Sequence, residues 1–100
     1  MSQQKKQKNK QAAKSAVSIQ FTKNGWEDYS YWKKSDATVL ALLERLLTEC
    51  LRNPFEGTGK PEPLKGDLTG YWSRRITKEH RLVYAFEGGC LIIIACRHHY

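Results

Sequence analysis

Three strand-like runs crowd into the last third of this 100-residue chain, and they constrain its fold more than any other feature. Tyr71 to Ile76 and His80 to Phe86 both alternate apolar and polar residues, and Thr77-Lys78-Glu79 between them fits a three-residue hairpin loop. In that register Ile76 faces His80, Trp72 faces Tyr84, and Arg75 lies directly across from Arg81. Two cations facing each other destabilise a sheet unless something anionic sits between them. Glu87-Gly88-Gly89 then turns into Leu91-Ile92-Ile93-Ile94-Ala95-Cys96, a nearly unbroken apolar run that implies a strand covered on both faces. Two registers are open for this last turn. A three-residue Glu87 to Gly89 loop pairs Tyr84 with Ile92 and groups Arg75, Arg81, Arg97 and His99 on one side. A two-residue Gly88-Gly89 turn slips the pairing by one and presents Cys96 and His98 there instead.

The elements before the hairpins complete a two-layer plan. Val17-Ser18-Ile19-Gln20-Phe21 alternates as a short strand with one buried face. Asn24, three residues before Glu27, has the spacing of a capping box and predicts a helix through about Lys34. Trp26, Tyr29 and Trp32 recur along that helix at the spacing of a packed face rather than of a base-stacking platform. Asp36 offers a second cap. Val39, Leu42, Leu43, Leu46, Leu47, Cys50 and Leu51 then repeat at helical spacing until Asn53-Pro54 stops the helix. The expected fold is α+β, a small antiparallel sheet with two N-terminal helices packed on one face, the other face being free to carry a site.

Charge is placed unevenly. The net charge is +7, but residues 1–16 hold five lysines and no acid, which leaves twelve basic and ten acidic residues for the rest. Residues 1–16 also lack aromatic and β-branched side chains and are expected to be a disordered basic extension preceding a single domain over 17–100. Within that domain Lys60, Lys65, Arg74, Arg75, Lys78 and Arg81 outnumber Glu62, Asp67 and Glu79, so positive potential focuses around the hairpin, where a phosphate can be steered. Cys50, Cys90 and Cys96 are odd in number and unpaired in spacing, which argues against a disulfide framework and for three small buried hydrophobes in a reducing cytoplasm. No apolar run approaches a membrane span.

From Pro54 to Gly70, three prolines and four glycines predict an irregular loop. Glu62 stands in it between Pro61 and Pro63. Pro63 restricts the backbone of Glu62 to extended conformations, so this carboxylate is presented from a stiff support. A fixed carboxylate, a histidine and several cations suit metal-free cleavage of RNA. That reaction needs a base for the ribose 2′-OH, cations for the crowded phosphorane, and an acid for the departing 5′-oxygen. Free Glu and His, with pKa values of about 4.3 and 6.5, are serviceable in those roles, although a stronger base requires a buried Glu62. With three-residue turns His80 pairs with Cys96 and His98 shares their face, but the chain has no CxxC or HExxH pattern and no apparent fourth ligand, which argues against a zinc site.

Asn53 to Lys65 (NPFEGTGKPEPLK), Gly70 to Ile76 (GYWSRRI), Glu79 to Tyr84 (EHRLVY) and Ala95 to Tyr100 (ACRHHY) together resemble the YoeB (Txe) family of the RelE superfamily, over about Val17 to Tyr100. The resemblance implies a ribosome-dependent mRNA endoribonuclease of a bacterial type II toxin–antitoxin system, cutting in the A site without a cofactor. It implies Glu62 as general base, Arg81 as phosphate stabiliser, His99 as general acid and Tyr100 as an orienting residue. Lys65 and Arg75 would hold phosphate or RNA, with Arg74 and Lys60 as basic neighbours. It further implies a homodimer, a YefM- or Axe-like antitoxin whose C-terminal segment covers the site, and the 70S ribosome and mRNA as partners. Two departures stand out: the extension before Val17, and His98, where the family usually has another aromatic residue. The alternatives are a ribosome- or RNA-binding module without catalysis and a ParE-like gyrase poison on the same fold.

Overall fold

In a computed structural model the described residues are Ala16 and 18–98; the expected extension over 1–16 and the terminal His99 and Tyr100 lie otherwise outside them. The elements run β1 (Ser18–Phe21), α1 (Lys23–Ser35), α2 (Ala37–Arg52), β2 (Glu62–Pro63), β3 (Trp72–Arg75), β4 (Arg81–Glu87) and β5 (Cys90–Ala95), with a single 3-10 turn at Gly66–Leu68. The sheet order is β1-β5-β4-β3-β2. Both helices cover one face of this sheet. Trp32 of α1 and Val39, Leu43, Leu46, Leu47 and Cys50 of α2 close on Leu82, Tyr84, Leu91 and Ile93.

Three expectations need correction. The sheet is mixed rather than antiparallel, because β1 runs parallel to β5, with Ser18 opposite Cys90 and Phe21 opposite Ile93. These two strands are joined through both helices and the rest of the sheet, so no hairpin dictates their relative direction. Next, α1 starts before Asn24. Thr22 is its cap, accepting the Gly25 N–H at 3.0 Å while its hydroxyl reaches the carbonyls of Ile93 and Ile94 at 3.2 and 3.1 Å. The cap that also ties the helix to the sheet prevails over the one that only satisfies the helix end. Finally, the proline-rich loop is not wholly irregular, since Glu62 and Pro63 pair with Ser73 and Trp72 as an edge strand. Pro63 is tolerated there because an edge strand has one side without partners.

Gly25 shows how tightly α1 meets the sheet: a Cβ at this position would stand 2.3 Å from the Ile93 carbonyl oxygen. The second helix begins as expected, with Asp36 accepting from the amides of Thr38 and Val39 at 3.0 and 3.1 Å. Trp32 is buried and its Nε1 donates to the Cys96 carbonyl at 2.8 Å. Trp26, by contrast, is 50% exposed and forms a surface cluster with Phe21 and Tyr29.

Cys50 and Cys96 are buried, and burial pushes their thiols up to about 11 and 12, respectively. Cys90 departs from the expected pattern by being only half-buried near the Gly88-Gly89 turn. The thiolate is the reactive form, so iodoacetamide near neutral pH is expected to label Cys90 in the folded protein and to spare Cys50 and Cys96 until denaturant is added. Mass spectrometry of the peptides checks this. Labelling of Cys96 as fast as Cys90 would contradict the buried assignment.

Candidate active site

The β3–β4 hairpin has the register read from its alternation: Trp72 opposite Tyr84, Ser73 opposite Val83, Arg74 opposite Leu82 and Arg75 opposite Arg81. Its loop is closed by Thr77, whose hydroxyl accepts the amides of Glu79 and His80, and by the His80 carbonyl, which accepts from Ile76 at 2.9 Å. Strand alternation puts Ser73, Arg75, Arg81 and Val83 on the face away from the helices. Because Glu62 pairs with Ser73, its carboxylate joins that face. Arg81 reaches across β3, and its Nη1 stands 3.4 Å from Glu62 Oε1. The Arg81 side chain is 16% exposed and that of Glu62 is 57% exposed. The anion that two facing arginines call for is therefore supplied by the edge strand.

Arg75 and Lys60 meet at a second position. Together with Gly59, Ile76, Thr77 and Lys78 they line an open depression of about 420 Å³. The Arg75 amide donates to the Gly59 carbonyl at 2.7 Å, and Lys60 follows with a left-handed backbone at φ 51°. A Cβ on Gly59 would fall 2.8 Å from the Arg75 carbonyl oxygen, so a side chain there would break the approach of loop to strand. Lys65 is exposed at the start of the 3-10 turn, three residues beyond Glu62.

Arg74 must be removed from the RNA-facing set. It lies on the helix side of the sheet and is fully buried. Its guanidinium donates to the Tyr84 hydroxyl at 3.1 Å and to the carbonyls of Asn53, Glu56 and Thr58. Tyr84 in turn donates to the Pro54 carbonyl at 2.6 Å. Nothing of this arginine remains for a ligand. Its charge contributes instead to holding the Glu49 carboxyl below the usual carboxylate range, a shift led by the hydrogen bond from the Thr58 amide.

The last turn follows neither register completely. Glu87 pairs with Cys90 and Tyr84 with Ile93, as in the two-residue turn, but a β-bulge at Val83/Tyr84 then places Val83 opposite Ala95. The extra residue sends Cys96 into the core, its Sγ 3.7 Å from the Gly25 carbonyl oxygen, so it forms no site with His80 and His98. Among the described residues no cluster of three or more His, Cys, Asp or Glu side chains is arranged to hold a metal. Arg97 does not join Arg81, since its guanidinium stacks 3.6 Å from the ring centre of Tyr31 on α1. Beyond it, the His98 N–H donates to His80 Nδ1 at 2.8 Å, and the His98 carbonyl accepts from the Arg81 amide at 3.2 Å. The expected acid His99 and the orienting Tyr100 come next, outside the described residues. Ser73, which pairs with both Glu62 and Val83, escaped the sequence reading, and His80 entered it only as the partner of Ile76 and a candidate zinc ligand, not as an acceptor for the His98 amide. Only the three-strand pairing reveals the first, and nothing local signals the second role.

One mixed sheet with two helices on one face is also the fold of small toxins of toxin–antitoxin systems: a chain of the toxin–antitoxin complex RelBE2 from Mycobacterium tuberculosis superimposes with a TM-score of 0.65 at 21% identity, over 86% of this chain and 99% of that one. The model of the YoeB-like toxin of bacterial type II toxin–antitoxin systems matches residues 21–100, and the chain belongs to that family. It is 55% identical over 82 residues to Toxin YoeB of Streptomyces coelicolor, covering 82% of this chain and 98% of that protein. Among solved structures, the YoeB/ParE toxin from Agrobacterium tumefaciens superimposes with a TM-score of 0.82 at 48% identity, over 84% of this chain and all of that one. The heterotetrameric YoeB–YefM toxin–antitoxin complex from Staphylococcus aureus contains a chain matching with a TM-score of 0.76 at 44% identity, over 82% of this chain and 95% of that one. No helix among the described residues is long and apolar enough to cross a membrane.

Proposed function

We propose that residues 17–100 form a ribosome-dependent mRNA endoribonuclease that cuts in the A site of the translating 70S ribosome in the bacterial cytoplasm, without a metal. The observation that carries this reading is the contact between Glu62 and Arg81, 3.4 Å apart on the open face of the sheet. A carboxylate beside a phosphate-holding arginine repels an anionic ligand and is a poor choice for a protein that only binds; it is what a proton-transfer step requires. A ParE-like gyrase poison would have no use for the pair.

In the proposed reaction Glu62 takes the proton of the ribose 2′-OH and the 2′-oxygen attacks the adjacent phosphorus. Arg81 stabilises the charge that gathers on the phosphorane oxygens. As the bond from phosphorus to the 5′-oxygen breaks, His99 donates a proton to that oxygen, with Tyr100 orienting the substrate. The products are a cyclic phosphate and a free 5′-hydroxyl. Lys65, Arg75 and Lys60 hold flanking phosphates. Because the Glu62 side chain is 57% exposed here, the desolvation that strengthens it as a base must come from the bound RNA and ribosome.

The heterotetrameric composition of the S. aureus toxin–antitoxin complex supports a toxin homodimer held by a YefM-like antitoxin, and we extend that assembly to this chain. The antitoxin's C-terminal segment would cover the Glu62–Arg81 face. Primer extension on cellular mRNA after expression tests the reading. Wild type is expected to leave new 5′ ends within translated codons, and His99→Ala to leave none. Equal cleavage by both would sink it.

A further inference from the structure

The two places on the open face where an anion can sit differ in what already faces them. The Glu62 carboxylate stands 3.4 Å from Arg81 Nη1, so a phosphate must compete for this arginine. One strand over, Arg75 lies opposite Arg81 in the ladder and lines the depression of about 420 Å³ together with Lys60 and Lys78. These three residues are exposed, and among the described residues no carboxylate lies within ion-pairing distance of their side chains. Glu79 follows Lys78 in the loop but does not line the depression. Three cations around one hollow repel one another, and an anion between them relieves that repulsion.

The backbone beneath these cations is fixed. The Arg75 amide donates to the Gly59 carbonyl at 2.7 Å, which pins the residue before Lys60 to the end of β3. Lys60 then takes φ 51°, a left-handed conformation that is uncommon for a residue with a Cβ and that glycine adopts without strain. Backbone outliers of this kind concentrate where a ligand is held. Lys78 stands at the crest of the β3–β4 loop, where the Thr77 hydroxyl accepts the amides of Glu79 and His80 at 3.2 and 3.1 Å. Two segments far apart in the chain thus bring positive charge to one hollow from backbones that are each tied down.

We propose that the depression lined by Lys60, Arg75 and Lys78 seats a second, non-reacting phosphodiester of RNA, and that it supplies affinity while the Glu62–Arg81 pair supplies rate. This rests on the reading of that pair as the cleavage centre, and adds Lys78 and the division of labour to it. A phosphodiester that does not react carries the same charge before and during the reaction, so contacts to it stabilise bound substrate and transition state equally. Arg81, by contrast, meets charge that grows as the phosphorane forms. The seated phosphodiester belongs either to the message beside the scissile linkage or to ribosomal RNA around it, and both offer the same anionic oxygens.

Lys60→Gly removes the head group and the backbone strain together, and Lys78→Gln neutralises a charge on an exposed crest, so the double variant is expected to keep the urea midpoint of wild type. Binding is measured on ribosomes programmed with a message whose 2′-O-methyl ribose at the cut prevents cleavage. There the double variant is expected to bind about 10- to 100-fold more weakly than wild type. Its slope of log affinity against log salt should be shallower by about one for each cation removed. On cleavable message the loss falls on KM rather than on kcat, and Lys78→Arg, which keeps the charge, retains wild-type affinity. A single uncharged methylphosphonate linkage beside the scissile one separates the two sources. If the message supplies the phosphodiester, that linkage weakens wild type and leaves the double variant indifferent; if ribosomal RNA supplies it, both respond alike. A double variant with the affinity and salt slope of wild type, or one whose loss falls on kcat, overturns the proposal. Glu62→Gln runs alongside: cleavage by that variant at the wild-type rate defeats the functional reading, whereas an inactive Glu62→Gln beside an undiminished double variant defeats only the phosphate seat.

Discussion

Glu62→Gln is expected to abolish A-site cleavage, lowering the single-turnover rate on programmed ribosomes by about 10²- to 10⁴-fold, the usual worth of a general base. The same substitution should leave ribosome binding intact or improve it slightly. Glu62 stands 3.4 Å from Arg81, and converting its charge to a neutral amide removes a competitor for the arginine proposed to hold the phosphate. The pair is solvent-facing on the glutamate side, so the gain is small, about two- to fivefold in affinity, in line with the ~0–1 kcal/mol of exposed ion pairs. Opposite signs on rate and affinity are what distinguish a base from a residue that shapes the fold. Rates come from cleavage on stalled complexes, and affinities from filter binding at fixed salt. A Gln variant that cuts within about tenfold of wild type would remove Glu62 from the mechanism.

Arg74→Leu is expected to cost on the order of 3–5 kcal/mol, much of the 5–15 kcal/mol that holds a domain of this size. The buried guanidinium satisfies the Tyr84 hydroxyl and the carbonyls of Asn53, Glu56 and Thr58. Leucine fills part of the volume and leaves these acceptors facing an apolar side chain. The loss also reaches the site. Residues 53–58 are the entry to the loop that presents Glu62, and Arg74 is what fastens that entry to β3, one residue from the Ser73 that pairs with Glu62. Arg74→Lys should recover only part of the stability, because one ammonium lacks the planar fork that meets several carbonyls at once. Urea unfolding measures both. A midpoint for the leucine variant equal to wild type would show the network to be dispensable.

Much of the frame could be read from local pattern. The second helix was announced by its apolar repeat and the Asp36 cap, and the β3–β4 register by the alternation flanking Thr77-Lys78-Glu79. These elements are specified by neighbours in the chain, so their signals are close together. What escaped depended on partners far away. Thr22 outranks Asn24 as a cap because it also touches β5, some seventy residues on. The direction of β1 is set by the edge it fills, and the pairing of Glu62 with Ser73 by a strand of two residues, too short to leave a pattern. Arg74 and Arg75 are adjacent, alike in chemistry and opposite in fate; only the parity of the strand sends one into the core and the other into the basic depression. In the candidate site, the stiff carboxylate and the facing arginines were legible, whereas the grip of His80 on His98 needed a bulge that no local spacing encodes.

That bulge gives β5 a property resembling a reading frame. Ahead of it, Leu91 and Ile93 point to the helices; behind it, the alternation has been reset so that Cys96 rather than Ala95 enters the core. Everything downstream inherits the reset, including which residue meets His80 and which follows it. Exchanging one aliphatic side chain for another along this strand disturbs packing at a single position, but inserting or deleting one residue would turn every later side chain of the strand to the opposite face. In this part of the molecule the count of residues between the Gly88-Gly89 turn and His98 matters more to the arrangement than which aliphatic side chain stands at each place.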